Sequence, residues 1–412
     1  MTAREPGLRT LWCMVGVQFI MSMALSVASP ILPLFLPEIG VQPGGPVEFW
    51  AGLLASLNAF VAAFASPVWG SVADRYGRKA MVLRSSLAIC FFTLLMGLST
   101  HLWQLVALRA CMGAFSGFSA SAIALVATQV REERLGFALG WLSTGQLIGG
   151  LVGPVVGGTV ADVTGQYRMV FFCTAAFAAA AATAAYLGVR EERAPRATKT
   201  KQPIWQSFAA LARTRGLLPL FLVLLIAQFG VRTVQPVVTL FVQDLVGWEP
   251  GLATLAGFAF SVTGIADLIA SPFLGKRSDV LGYRRVLLIS LFGAAMMSLP
   301  QSLVGAYWQF LALRFGVGLF VGGILPTANA LVGRLVPASQ RGLAYGLTAS
   351  ATFLGSSMGP FTGGTVAALA GIRWVFVLTG TLFLVNLVWV WRVVPDLRAG
   401  DAPARASEAT GD

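Results

Sequence analysis

Hydrophobic and polar positions along this chain alternate on a coarse scale. Apolar runs fall at about 11–33, 50–73, 80–99, 102–130, 135–163, 168–188, 217–243, 252–274, 286–304, 306–333, 342–368 and 374–394, separated by short polar stretches. Each run reaches or approaches the roughly 20 residues a helix needs to cross the hydrocarbon core of a bilayer. The pattern predicts an all-α integral membrane protein of twelve transmembrane helices. The first run is too long for a signal-peptide core and reads as the first span. One long polar stretch, 190–216, separates the twelve runs into two groups of six. The expected organisation is a six-helix bundle over 1–189, a linker over 190–216, a second bundle over 217–395 and a disordered tail over 396–412. Within the linker, Ile204, Phe208 and Leu211 are spaced for an amphipathic surface helix, and a plain solvated linker fits equally.

Composition sharpens this picture. Hydrophobic residues make up 56% of the 412 and charged residues 11%, against about a quarter charged in soluble domains, which excludes a soluble enzyme. The formal charge of +12 would suggest nucleic acid in a soluble protein, so the charges have to be placed relative to the membrane. With both termini cytoplasmic, 24 of the 29 basic residues lie in inside segments or at their helix ends. Arg168 and Arg373 lie outside, and Arg109, Arg232 and Arg314 lie within spans. The bias obeys the positive-inside rule, and no nucleic acid is needed to explain it. Cys13, Cys90, Cys111 and Cys173 sit in apolar runs, and His101 is the single histidine. A histidine-based metal site or a Ser/His/Asp triad has nothing to build on. Lys276 follows Gly275, but Ala270 stands where a phosphate loop needs glycine. No cofactor is expected.

The two groups of six are repeats of each other. A shift of 205 places Ser66, Pro67, Gly70, Asp74 and Gly77 on Ser271, Pro272, Gly275, Asp279 and Gly282, and pairs Arg109 with Arg314 and Arg168 with Arg373. A shift of 206 pairs Pro30 with Pro236, and Gly153, Pro154, Gly157 and Gly158 with Gly359, Pro360, Gly363 and Gly364. Repeats with an even number of spans run in the same direction, so they relate by an axis along the membrane normal and are expected to enclose a cleft.

Gly70-Ser-Val-Ala-Asp74-Arg75-Tyr-Gly77-Arg78-Lys79 connects spans two and three. It resembles the signature loop of the major facilitator superfamily, and a degenerate copy runs from Gly275 to Arg285. The resemblance implies a cytoplasmic latch across the halves made by Asp74 and Arg78, with Gly70 and Gly77 forming the turn. In the second copy Asp279 remains, but Val280 and Tyr283 replace the basic positions. Gly149-Gly-Leu-Val-Gly153-Pro154-Val-Val-Gly157-Gly158, in span five, resembles the antiporter motif of the same superfamily. Span eleven carries its own copy, Gly355–Gly364, and span one carries Ser29-Pro30-Ile-Leu-Pro33. Together these resemble the MdtG-like multidrug efflux branch of the twelve-span drug/proton antiporters. Such membership implies a bacterial inner-membrane exporter that works as a monomer by alternating access, with a proton gradient as its energy source.

The embedded charges are the candidate coupling groups. A charge at mid-membrane costs a few kcal/mol unless it is partnered or faces a polar cavity. Asp267 in span eight is the single intramembrane carboxylate, and a carboxylate is a group able to change charge during a transport cycle. Arg232 in span seven lies within side-chain reach by helix rise, either as a static ion pair or as an exchangeable one. By resemblance, Arg109 in span four is associated with proton coupling, although Met112 replaces the family's glutamine. Span one offers Gln18, Ser22 and Ser26 where many relatives carry an acid. Gln18, Asn58, Gln146, Gln228, Gln235 and Asn329 are the candidate polar anchors of an otherwise apolar cavity suited to small lipophilic compounds. An exporter of one specific metabolite is the nearest alternative. A non-transporting sensor or lipid-handling protein on the same fold is the alternative of another class.

Overall fold

The computed structural model describes residues 6–42, 46–130, 134–189, 191, 217–336 and 341–394. The side chains at 6–7, 67, 70, 71, 74, 75 and 341–343 are outside that description, as are the rest of the linker and the tail, so the expectations for those segments are not addressed. Twelve helical spans follow in order: Pro6–Val27 (1), Pro46–Tyr76 (2), Arg78–Gly97 (3), Leu102–Gln129 (4), Leu135–Thr164 (5) and Arg168–Gly188 (6). The second repeat gives Leu217–Val246 (7), Leu252–Leu281 (8), Tyr283–Ser298 (9), Tyr307–Leu335 (10), Arg341–Ala370 (11) and Ile372–Val393 (12). Eleven are long and apolar enough to cross a membrane. Span 11 is just as long, at 30 residues, but its glycine, serine and threonine content dilutes its hydropathy.

Four spans are interrupted, and the interruptions repeat. Pro30 and Pro236 lack the N–H a continuous helix needs, and spans 1 and 7 break beside them, resuming at Leu32 and Val238. Span 4 breaks before Phe118, where Gly117 takes a left-handed φ of 112°. Span 10 breaks at Gly322 and Gly323.

The repeat extends to individual hydrogen bonds. The Gln104 Oε1 accepts from the Thr100 N–H at 2.8 Å, and 205 residues later the Gln309 Oε1 accepts from the Gly305 N–H at 3.3 Å. Arg168 Nη1 donates to the Gly97 carbonyl at 3.0 Å, and Arg373 Nη1 to the Ser302 carbonyl at 2.9 Å. Lys79 Nζ donates to the Tyr186 carbonyl, and Arg284 Nη2 to the Trp391 carbonyl. The glutamines accept from open N–H groups before a helix, and in the other two pairs a cation satisfies carbonyls that a helix terminus leaves open. Arg168 and Arg373 are thereby explained as structural caps.

Packing does not follow the repeat boundary. One compact unit contains spans 1 to 6 together with Pro236–Ser261; the other contains the beginning of span 7 to Gln235 and the chain from Val262. The first unit holds its borrowed segment by specific contacts. Thr239 Oγ1 donates to the Pro30 carbonyl at 2.9 Å and Ser261 Oγ to the Leu151 carbonyl at 2.5 Å. The Asp162 carboxylate accepts from the Thr254 N–H at 2.7 Å, the Thr254 hydroxyl at 2.6 Å and the Ala253 N–H at 3.3 Å. An acid from the end of span 5 thus caps the N-terminus of span 8, where a negative charge is favoured.

Candidate transport site

In the first unit the antiporter-motif glycines form a seam. Span 5 lies so close to span 1 that a Cβ at Gly153 would stand 2.6 Å from the Met23 carbonyl oxygen and 2.7 Å from Ser26 Oγ. Gly149 and Gly157 meet the carbonyls of Phe19 and Val27 in the same way. Glycines four apart share one helix face, so the motif is a flat track laid on the backbone of span 1. Gly158 and Pro154 face the other way, against Ala253 and Gly257 of span 8. In the second unit Gly355, Gly359 and Gly363 repeat the track against Leu225, Phe229 and Thr233 of span 7.

The polar candidates of the first unit divide. Gln18 is only 2% exposed; its amide donates to Ser119 Oγ at 3.3 Å, while Oε1 is buried without a partner among the described residues. It lies within the bundle and does not line an open surface. Spans 2 and 4 meet where Gly113 seats on the Asn58 carbonyl. Among the described residues Asn58 Oδ1 is buried there without a hydrogen bond, and so is the Nε of Arg109, one turn earlier on span 4. Gln146 points outward, and its carbonyl accepts from Ser22 Oγ at 2.5 Å. Buried polar atoms without partners are costly, so this seam retains hydrogen-bonding capacity for a ligand or water.

In the second unit, Asp267 packs on the break in span 10. A Cβ at Gly322 would lie 2.8 Å from Asp267 Oδ1 and 2.9 Å from its carbonyl oxygen. The side chain is half-buried, and among the described residues no hydrogen bond or ion pair reaches its carboxylate. The expected Arg232–Asp267 contact is therefore not made. Arg232 instead projects from span 7 beside Gly359 of span 11 and is exposed. Gln235 opens the short 3-10 turn between the two parts of span 7, and Asn329 is half-buried on span 10.

At the signature loop, Gly77 adopts a φ of 95°, which glycine reaches without strain. Glu191, just past span 6, packs beneath it and accepts from the Arg78 N–H at 2.7 Å and the Lys79 N–H at 3.0 Å, capping span 3. Arg78 Nη1 donates to the Ala124 carbonyl at 2.6 Å. Arg78 is thus bound inside its own unit. The side chains of Gly70 and Asp74 lie outside the described residues. In the second copy the Tyr283 hydroxyl, where the first copy has Arg78, donates to Asp279 at 2.8 Å. Replacing Glu191 with alanine removes both acceptors at once, a loss of about 1 kcal/mol for a helix cap. We expect a lower melting temperature in detergent; an unchanged one would show that the cap is dispensable.

Three participants, Glu191, Asp162 and Arg84, belong to no motif that marks them in the sequence. The Arg84 guanidinium lies 3.5 Å from the centroid of the Trp69 ring and donates to the Ser116 carbonyl at 2.9 Å, filling the break in span 4. Near the Asp162 end, burial pushes the Glu38 carboxyl above the usual range, partly opposed by Arg168 at 4.0 Å. Burial also raises the Tyr167 hydroxyl, reinforced by the charges of Glu38 and Asp162.

Twelve helical spans in two repeats, with charges held inside the spans and glycine tracks joining them, define a secondary-carrier fold. The chain belongs to the Major Facilitator Superfamily, whose sequence profile matches residues 14–266 and 220–410. It is 38% identical over 373 residues to the multidrug resistance protein MdtG of Serratia proteamaculans, covering 90% of each chain. It is 36% identical over 373 residues to MdtG of Salmonella schwarzengrund, covering 90% of this chain and 92% of that one. Among solved structures it is similar to a bacterial homologue of the human lysosomal transporter Spinster, inward-facing and occupied (TM-score 0.77, 14% identity, 94% of this chain and 97% of that one). It is also similar to a variant of the nucleoside transporter NupG (TM-score 0.75, 12% identity, 94% and 100%). The protein is a multi-pass transporter of the bacterial inner membrane, not an enzyme.

Proposed function

We propose that this transporter exports small, largely hydrophobic compounds in exchange for protons, by alternating access, with both termini cytoplasmic. The observation that carries the proton coupling is Asp267, a half-buried carboxylate with no protein partner among the described residues, seated on the Gly322 break. A group so placed is free to gain and lose a proton as its surroundings change. The relatives named multidrug resistance proteins support the substrate class. The sparse polar anchors, Asn58 and Arg109 in one unit and Asn329 in the other, suit neutral, zwitterionic or weakly anionic compounds as well as cations. The basic residues of the inside loops support the orientation.

The test is dye and antibiotic uptake into everted vesicles, with the proton gradient collapsed by an ionophore in a parallel sample. Proton antiport predicts loss of uptake with the ionophore; uptake that continues unchanged rules it out.

The Asp162 cap shields the N-terminus of span 8 within the first unit. In a background lacking the four native cysteines, Ala253→Cys is expected to react severalfold faster with an impermeant thiol reagent once Asp162 is replaced by alanine. Equal rates would show that the Asp162 cap does not protect this helix end.

A further inference from the structure

Within the second unit, spans 7, 8, 9, 10 and 12 surround a pocket of about 50 Å³. Three polar atoms of its lining residues are buried and have no partner among the described residues: Thr263 Oγ1 on span 8, Gln301 Oε1 just beyond span 9, and Thr379 Oγ1 on span 12. Two further donors there are committed, and the Arg314 guanidinium also lines the pocket. Gln301 Nε2 donates to the Met297 carbonyl at 2.9 Å, and Ser298 Oγ to the Ala294 carbonyl at 2.7 Å. Each orphaned buried atom is costly, and three from different elements converge on one cavity. A water needs about 10–15 Å³ and two to four polar partners, so the pocket has room and partners for more than one. An inorganic anion would leave Gln301 Oε1 without a donor; water supplies one.

Asp267 is not itself in the lining, but the lining residue Thr263 stands one turn from it. Thr263 and Asp267 are four residues apart on one face of span 8, about 6 Å by helix rise. Opposite them, Gly318 seats on Thr263 and Gly322 on Asp267. Val321, adjacent to Gly322, lines the pocket. We infer that this pocket holds ordered water and that the water passes protons to and from Asp267.

The inference rests on the proton-coupling reading above. In the transfer, one O–H bond of the nearest water breaks as one forms on an Asp267 carboxylate oxygen. That water regains its proton from the next, and the last in the chain takes one from the outside medium that drives the antiport, so one proton moves inward, each water is regenerated and no other bond changes. Arg314 is the one charged residue of the lining, with Arg232 next to the lining residue Val231 on span 7. The Arg314 positive charge disfavours a resident hydronium, so protons pass through the pocket without being stored in it.

The test uses Thr263→Val and Thr379→Val, singly and together, in the full-length protein reconstituted in vesicles. Each removes a hydroxyl at nearly constant volume. Proton release triggered by substrate addition is expected to slow about tenfold in the double variant, with intermediate values for the singles. Equilibrium substrate binding and energy-independent exchange are expected to stay at wild-type levels. Release at the wild-type rate in all three variants overturns the water relay. Asp267→Asn separates the two readings: if it too releases protons normally, the coupling assignment fails, whereas if it alone is silent, only the relay fails. Radiolytic hydroxyl labelling of the wild type supplies a measurement independent of folding in the variants. Labelling of the buried pocket residues Val317 and Phe376 is expected, and its absence overturns the inference.

Discussion

Asp267→Asn is expected to reduce proton-driven export to background while leaving insertion, folding and energy-independent exchange intact. Asparagine has nearly the same shape, so packing on Gly322 is preserved. With no hydrogen bond or ion pair reaching the carboxylate among the described residues, the substitution leaves no buried partner unsatisfied, so stability is expected to change little. What is lost is the ability to exchange a proton. Export down a substrate gradient needs only the conformational cycle, whereas export against one needs the proton to bias it, so the two assays are expected to separate. The measurement pairs substrate-induced proton release with exchange of labelled substrate in the same vesicles. Wild-type proton release together with wild-type drug resistance in the variant would remove Asp267 from the mechanism.

Gly157→Val is expected to have the largest effect on folding. The side chain would be driven into the Val27 carbonyl, and backbone cannot swing away as a flexible side chain can. Span 5 can yield only by lifting the whole Gly149–Gly157 track off span 1. Overpacking typically costs about 1–3 kcal/mol per site, and here the loss of neighbouring close contacts adds to it. Gly140 lies on the same helix with nothing within 4 Å of an added Cβ, so Gly140→Val is the matched control. Yield, monodispersity in detergent and melting temperature are expected to collapse for Gly157→Val and to stay near wild type for Gly140→Val. Similar behaviour of the two would show that the motif is not a packing track.

The two predictions differ in how much of their basis is visible in the linear chain. The glycine track could be anticipated from the four-residue spacing of Gly149, Gly153 and Gly157, because helix geometry alone puts them on one face. Its partner could not, since nothing in Leu135–Thr164 names span 1. Asp267 stood out as the single embedded acid, but the expected contact with Arg232 rested on depth along two helices. Depth says nothing about rotation, and the structure turns Arg232 toward Gly359 and Asp267 toward Gly322.

Span number, the two-fold repeat and the charge bias are properties of the sequence by itself. In a bilayer each helix must satisfy its own backbone, so hydropathy and proline placement along the chain suffice to locate the spans. The tertiary structure alone decided that Glu191 caps span 3, that Asp162 caps span 8 across about ninety residues, and that Thr263, Gln301 and Thr379 converge on one pocket. Lipid is as apolar as leucine, so the hydrophobic pattern does not dictate which face of a span meets which neighbour. Close packing and the few polar groups able to find partners settle that choice.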